Sequence, residues 1–237
     1  RPLKRLAVPE SPVVILGFGN DEEVTLEWSV RVTDEEDSLR QLLYRVPPPE
    51  QLGWTPVDLL EGVEWKVLSL EHPTSSETVA VGVLRIRSFD DEPTSFVNLL
   101  ARVVEEIREQ APLALILDVR GNGGGTVQCG ERLLQLFSPP RIEPVKFQYL
   151  NTDTVRSLVA ARDESDLDRF ELRQDHGLIY SAARPLTSSE EANDRGQLYF
   201  GRVALVTDPH CYSTTDLFAA GFQDHCLGPV IGVYGTT

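Results

Sequence analysis

The sequence lacks any apolar run of the roughly 18–20 residues that a membrane-spanning helix requires. Positive charge is also scarce, because 22 basic residues stand against 37 acidic ones and give a formal net charge of −15 at pH 7. A surface this negative repels phosphate backbones, so the composition argues against a nucleic-acid partner. The chain contains no methionine, so a leader could already have been removed, and the compartment stays open.

Cysteine is the third scarce feature. Cys129, Cys211 and Cys226 are odd in number, and no two of them form a C-x-x-C pair. This pattern predicts neither a disulfide framework nor a zinc site. We therefore expect the three cysteines to be small apolar residues.

What the sequence does contain is a pattern of alternating strands and helices. The region before about residue 75 reads as short strands and turns with one short helix, followed by a different pattern from residue 79. The predicted strands of this second part are 79–89, 113–119, 201–207 and 228–234, and the predicted helices are 93–110, 126–137 and the segment after 213. The order of these elements predicts an α/β core over residues 76–237 with a mostly parallel sheet, preceded by a small β-rich part over residues 1–75.

A glycine-rich segment, "DVRGNGGG", follows the predicted strand 113–119. Consecutive glycines allow positive φ angles and let backbone N–H groups face outward. Such a turn at the start of a helix binds negative charge, whether a phosphate or the oxyanion of an acyl-transfer intermediate. The segment lacks the Gly-Lys-Ser/Thr of a nucleotide P-loop. A simple strand-to-helix turn explains it equally well.

The second motif, "HCYSTTDLFAAGFQDH", follows the predicted strand 201–207. Ser213 and Asp216 have the spacing of a capping box, in which the serine hydroxyl accepts from N–H groups of the first helical turn. The same address suits a serine nucleophile, because the helix N-terminus stabilises a developing oxyanion. The two interpretations share one geometry.

Together the two motifs resemble peptidase family S41, the tail-specific or C-terminal processing proteases with tricorn relatives. The resemblance covers about residues 80–237, and its strong signal lies in two blocks. The matching residues of the first block are Asp118, Arg120, Asn122, Gly124 and Gly125, and those of the second are Ser213, Asp216, Gln223, Asp224 and Gly232. It implies a Clp protease/crotonase-like α/β core.

The resemblance also implies roles for single residues. Ser213 would be the nucleophile of a serine endopeptidase, and the N–H groups of Gly124 and Thr214 would form the oxyanion hole. Asp224 would be a supporting polar residue. The substrate would be a peptide or an unfolded protein, and the reaction would need no metal and no cofactor. The protein could form oligomers, and export from the cytoplasm would be favoured.

The general base departs from the family pattern. Typical members place a lysine after the serine, just past "TFG", whereas this sequence reads "GTT" and the aligned position is one residue beyond Thr237. The base is therefore expected either to be missing from this chain or not to be a lysine. Tricorn-type relatives use histidine, so His210, three residues before Ser213, is a candidate base. His72, His176 and His225 are the other histidines of the chain.

Two alternatives remain at this stage. The missing lysine suits a protein that keeps the S41 fold without catalysis and binds peptide tails or apolar ligands. A crotonase-type enzyme acting on acyl thioesters would share the oxyanion logic but would need a basic pocket.

In the N-terminal part, "ILGFGN" at 15–20 is similar to the carboxylate-binding loop of PDZ domains. That part is therefore expected to be either a β-rich cap or a partial PDZ-like module.

Overall fold

The structure is a computed structural model that describes residues 13–17, 23–27, 53–71, 77–173 and 177–232, the first two ranges by their backbone alone. The chain forms two compact units, Arg1–Val46 and Pro47–Thr237. In the first unit, strands β1 (Val13–Gly17) and β2 (Glu23–Glu27) pair as an antiparallel hairpin. The short helix predicted within 34–46, as well as His72 and His176, lie outside the described residues.

The second unit is built on one six-stranded sheet. Its strands are β3 (Thr55–Pro56), β4 (Val63–Glu71), β5 (Thr78–Ile86), β6 (Ala114–Asp118), β9 (Arg202–Thr207) and β10 (Val230–Gly232). They lie in the order β10-β9-β6-β5-β4-β3. The four strands from β10 to β5 run parallel, and β4 and β3 extend the sheet antiparallel. The predicted α/β class with a mostly parallel sheet is confirmed.

The boundary predicted near residue 75 falls inside this sheet. Strands β4 and β5 pair along their whole length, from Val63 opposite Ile86 to Glu71 opposite Thr78. The change of pattern at residue 79 therefore marks the passage from an antiparallel strand, partly open to solvent, to the more deeply buried strand beside it. The division between the compact units lies earlier, between Val46 and Pro47.

The helices cover this sheet. Helix α1 spans Pro93–Gln110, the range predicted from its periodicity. It begins with proline at the first helical position, and the Glu92 carboxylate accepts from the N–H groups of Thr94 and Ser95. The remaining helices are α2 (Val127–Leu134), α3 (Asp153–Arg162), α4 (Ser165–Arg169) and α5 (Thr214–Asp224). None of these described helices is both long and apolar enough to cross a membrane.

The polar region between α2 and β9 contains only short elements. A two-stranded pair, β7 (Lys146–Phe147) with β8 (Arg184–Pro185), accompanies α3 and α4. The predicted surface loop 188–197 contains a 3₁₀ turn, Glu191–Asn193, and is tied to the core because the Gln135 amide and the Arg132 guanidinium both donate to the Asp194 carboxylate.

The register of the sheet brings the two sequence motifs to one edge. Asp118, the last residue of β6, lies opposite Val206 of β9. Because parallel strands end at the same edge, the glycine-rich segment after β6 and the serine segment after β9 leave the sheet side by side.

Candidate active site

The segment after β6, which we call the glycine turn (residues 119–126), has the backbone that its glycines predict. Gly121, Gly124 and Gly125 have φ angles of 73°, 101° and 138°, in the region that favours glycine. The turn is fixed to the chain beyond β5, because Phe89 N–H donates to Gly124 O (2.8 Å) and Thr126 N–H donates to Phe89 O (2.9 Å).

The segment after β9, which we call the serine turn (residues 208–213), ends in a strained residue. Ser213 has φ 58° and ψ −118°, a conformation rarely adopted by a residue with a Cβ, and its side chain is exposed. Strain of this kind persists only where the surrounding structure imposes it, and it is concentrated at functional sites. In α/β hydrolases a sharp strand-to-helix turn presents the nucleophilic serine in the same way.

The capping box predicted at Ser213 is wrong. Ser213 occupies the N-cap position of α5, but its side chain makes no capping hydrogen bond. A capping residue ordinarily has an extended backbone, and the positive φ of Ser213 departs from it. The hydroxyl is therefore not used to start the helix.

The two turns contact each other closely. A Cβ built on Gly124 would lie 2.7 Å from Tyr212 O, 2.8 Å from Ser213 Cβ and 3.0 Å from Thr214 N. The buried Thr214 hydroxyl donates to Gly125 O over 2.6 Å. Only a glycine permits this approach, and the structure places Ser213, Gly124 and Thr214 next to one another.

The two expected oxyanion donors differ in their present partners. Thr214 is the first residue of α5, and the first N–H groups of a helix have no acceptor within the helix. The Gly124 N–H, by contrast, donates to the Asn122 Oδ1 over 2.8 Å. The expectation that this N–H faces a substrate oxygen is therefore not met in the structure as it stands.

Asp208 is a site residue that the sequence analysis missed. Its Oδ1 accepts from the N–H groups of Gly121 and His210, both over 3.0 Å, and so joins the two turns. Burial raises the pKa of this carboxyl, but these hydrogen bonds outweigh it and the pKa lies below its ordinary value. The Asp-Pro pair that follows β9 was the available signal, because aspartate at such turns bonds backbone N–H groups.

His210 lies on the serine turn, three residues before Ser213. Its Nδ1 lies 3.6 Å from Asp208 Oδ2, and its side chain is 68% exposed. Among the residues that the structure describes, no histidine is hydrogen-bonded to the Ser213 hydroxyl, and no group of three His, Cys, Asp or Glu side chains is arranged to hold a metal.

Asp224 is not brought to the site. It is exposed and is the last residue of α5, whereas Ser213 precedes the first. At about 1.5 Å per residue the length of the helix separates them by roughly 15 Å. Asp224 therefore does not contact Ser213, and the structure gives no basis for the supporting role that the family resemblance implies. A groove of about 590 Å³ between α1 and residues 194–198 likewise includes no residue of either turn.

Asp118 anchors the start of the glycine turn. Its buried carboxylate accepts from Arg120 (2.8 Å to each oxygen) and from Arg85 Nε (3.1 Å), and Arg85 also pairs with Glu64 (2.8 Å). Burial raises the pKa of Asp118, but the hydrogen bonds and charge of Arg120 and the charge of Arg85 outweigh it and lower the pKa.

This network predicts a pH-dependent loss of stability in Asp118→Asn. A depressed pKa stabilises the fold above the ordinary aspartate pKa of about 3.9, and this stabilisation is lost as the pH falls through the folded-state value. Urea unfolding should show a loss of about 2–4 kcal/mol at neutral pH. The difference in unfolding free energy between Asp118→Asn and the wild type should become smaller in acid. Asp166→Asn, which removes the more exposed pair with Arg169 (3.6 Å), should cost about 1 kcal/mol at most. Equal losses in the two variants would contradict the assignment.

The sheet therefore carries a glycine turn and a strained, exposed serine side by side at one edge, an arrangement that also occurs in α/β hydrolases. The sequence model of Peptidase family S41 matches residues 80–237. The chain belongs to peptidase family S41.

Two solved structures of mature CPAF share the fold of this chain. Mature CPAF superposes with a TM-score of 0.55 at 15% identity, over 94% of this chain and 53% of that one, and the complex of mature CPAF with lactacystin gives the same values. The photosystem II D1 C-terminal processing protease has a TM-score of 0.41 at 15% identity, over 72% of this chain and 36% of that one. The chain thus spans about half the length of the CPAF structures. No curated protein sequence matches it.

Proposed function

We propose that the protein is a serine endopeptidase that cuts peptide bonds through an acyl-enzyme on Ser213. The observation that carries this proposal is the strained, exposed Ser213 seated against Gly124 at the N-terminus of α5. Strain that serves no cap requires another reason, and an exposed nucleophile supplies one. Membership of a peptidase family supports the same reaction.

In this reaction the Ser213 Oγ attacks the carbonyl carbon of the substrate while its proton passes to a base. The tetrahedral oxyanion is held by backbone N–H groups and by the positive end of the α5 dipole. The amine leaves with the proton, and water then hydrolyses the ester by the same steps. Unfolded proteins and peptides suit this site as substrates because both turns lie at an open sheet edge.

His210 is the proposed base. It lies on the serine turn, and the Asp208 carboxylate within 3.6 Å can orient the imidazole and stabilise its protonated form. Asp208 is itself fixed by two backbone N–H groups. His210 would act on substrate binding, since catalytic hydrogen bonds are often long before the substrate is present.

The competing function is a binding protein that keeps the S41 fold without catalysis. It is favoured by one observation, the absence of a base on the Ser213 hydroxyl within the described part of the chain. Such a protein would bind peptide tails or apolar ligands at the same edge and leave them intact.

Covalent labelling separates the two functions. A fluorophosphonate reacts with a serine only where its hydroxyl is activated. We expect stoichiometric labelling on the peptide that contains Ser213, none in Ser213→Ala, and normal labelling in Ser157→Ala, which removes an exposed hydroxyl on α3. A folded wild-type protein that stays unlabelled would establish the binding function. If His210→Gln is labelled as rapidly as the wild type, His210 is not the base and another residue must take the proton of Ser213.

A further inference from the structure

The Asn122 side chain is completely buried and uses both ends of its amide. Its Nδ2 donates to Ile86 O over 3.1 Å, at the end of β5, and its Oδ1 accepts from the Gly124 N–H over 2.8 Å. The amide therefore fixes the glycine turn to the sheet, and leaves the Gly124 N–H directed at Asn122.

The Asn122 backbone fixes the serine turn as well. Its carbonyl accepts from the N–H of Tyr212 over 3.2 Å, one residue before Ser213, and its own N–H donates to Val119 O over 3.1 Å. One buried residue thus sets the positions of both turns. Because the two turns meet at Gly124, the contact between Oδ1 and Gly124 lies at the centre of the site.

This contact competes with the function proposed for Gly124. A single N–H cannot donate with good geometry to Asn122 Oδ1 and to a substrate oxygen at the same time. A neutral substrate carbonyl is no better an acceptor than the Asn122 amide oxygen. It therefore gains little by taking the Gly124 N–H from Asn122, a step that we call the exchange. A tetrahedral oxyanion is a stronger acceptor, because hydrogen bonds to an ionised group are roughly twice as strong as neutral ones. The exchange is therefore favoured only as charge develops.

The glycine turn has the freedom that such an exchange needs. Gly124 has φ 101°, and a Cβ built on the exposed Gly123 would meet nothing within 4 Å. The peptide between these two glycines has no Cβ on either side, so no side chain of its own opposes its rotation.

We propose that Asn122 is a positioning residue that holds the Gly124 N–H in the resting protein and yields it to the oxyanion as the tetrahedral intermediate forms. This inference rests on the proposed peptidase function. It makes stabilisation by Gly124 specific to the transition state, so the contact affects kcat and leaves substrate binding nearly unchanged.

Asn122→Asp tests the exchange by making Oδ1 harder to leave. When ionised, a carboxylate keeps the acceptor in place, binds the Gly124 N–H more strongly and opposes a nearby oxyanion. Because the substitution also removes the donor to Ile86 O at a buried site, which favours the neutral acid, the rates are measured across the pH range and compared at alkaline pH, where the carboxyl is ionised. We expect kcat on fluorescent casein and the rate of fluorophosphonate labelling each to fall about 100-fold, the effect of losing one oxyanion donor, with KM changed less than about threefold. Rates that equal wild type per folded molecule would overturn the inference.

Asn193→Asp is the matched control. The partly buried Asn193 likewise uses both ends of its amide, with Oδ1 accepting from Ile142 N–H (2.7 Å) and Nδ2 donating to Ile142 O (2.9 Å), away from both turns. The Asn193→Asp variant should have a lower melting temperature and unchanged kcat and KM. A similar fall of kcat in this variant would show that an Asn→Asp change away from the two turns also disturbs the site, and would overturn the inference.

A structure of the phosphonylated wild-type protein tests the exchange directly, even if Asn122→Asp fails to fold. The Gly124 N–H should donate to the phosphonyl oxygen at about 2.7–3.1 Å and should have left Asn122 Oδ1. If Ser213 is labelled while the Gly124 N–H remains on Asn122, this inference fails and the peptidase function stands. If Ser213 cannot be labelled at all, the proposed function itself fails.

Discussion

Replacing Ser213 with alanine is expected to reduce cleavage of fluorescent casein by about 10⁴-fold or more, because removing a nucleophilic serine abolishes the covalent step. The fold should survive, since the side chain is exposed and makes no capping hydrogen bond. Cleavage is measured by fluorescence release and folding by circular dichroism. Turnover that persists in a folded Ser213→Ala protein would exclude Ser213 as the nucleophile.

Ser213→Gly separates the strain from the chemistry. Glycine adopts φ 58° without a Cβ penalty, so this variant should also be inactive but should be more stable than Ser213→Ala by about 1 kcal/mol. Urea unfolding of the two inactive proteins measures the difference. If the glycine variant is the less stable of the two, the serine turn is not strained, and the observation behind the proposed function loses its force.

Gly124→Ala should produce the second large effect. A Cβ there would lie 2.7 Å from Tyr212 O and 2.8 Å from Ser213 Cβ, and φ 101° is itself unfavourable for alanine. The serine turn must move to make room. A displacement of about 1 Å costs on the order of 100-fold in rate, and the backbone strain costs about 1–3 kcal/mol of stability. We expect both losses together, by casein assay and thermal melting.

The neighbouring Gly123→Ala is the steric control for stability. A Cβ at Gly123 would meet nothing within 4 Å. Its melting temperature should remain close to that of wild type. If Gly123→Ala and Gly124→Ala melt alike, the close approach of the two turns is not what makes Gly124 necessary.

The sheet and its helices were predictable because burial leaves a strong mark on sequence. Strands β6 and β9 lie between neighbours and read as continuous apolar runs, and α1 shows one apolar face over its full length. The position of the domain boundary, expected near residue 75, was harder to predict from the sequence. Strand β4 pairs with β5 but keeps a partly polar pattern, so sequence alone separated two strands that one sheet joins.

The site was predictable only at the level of which segments meet. Parallel strands place the segments after β6 and β9 together, and glycine spacing identifies one of them. The bond from the Gly124 N–H to Asn122, the missing cap at Ser213 and the role of Asp208 depend on side-chain directions set by tertiary packing. Asp224 belongs to the same sequence motif as Ser213, but it lies at the opposite end of helix α5 and is therefore far from the site.

The adjacency of β6 and β9 has a consequence for how the candidate site forms during folding. Ala114 pairs with Arg202, and the whole polar region with α2, α3 and α4 lies between these strands in sequence. Closing such a long loop costs entropy before its contacts repay it, so pairings of this kind form slowly. Until β9 docks, Ser213 has no glycine turn beside it. The candidate site is therefore completed only by this long-range pairing, whatever forms earlier along the chain.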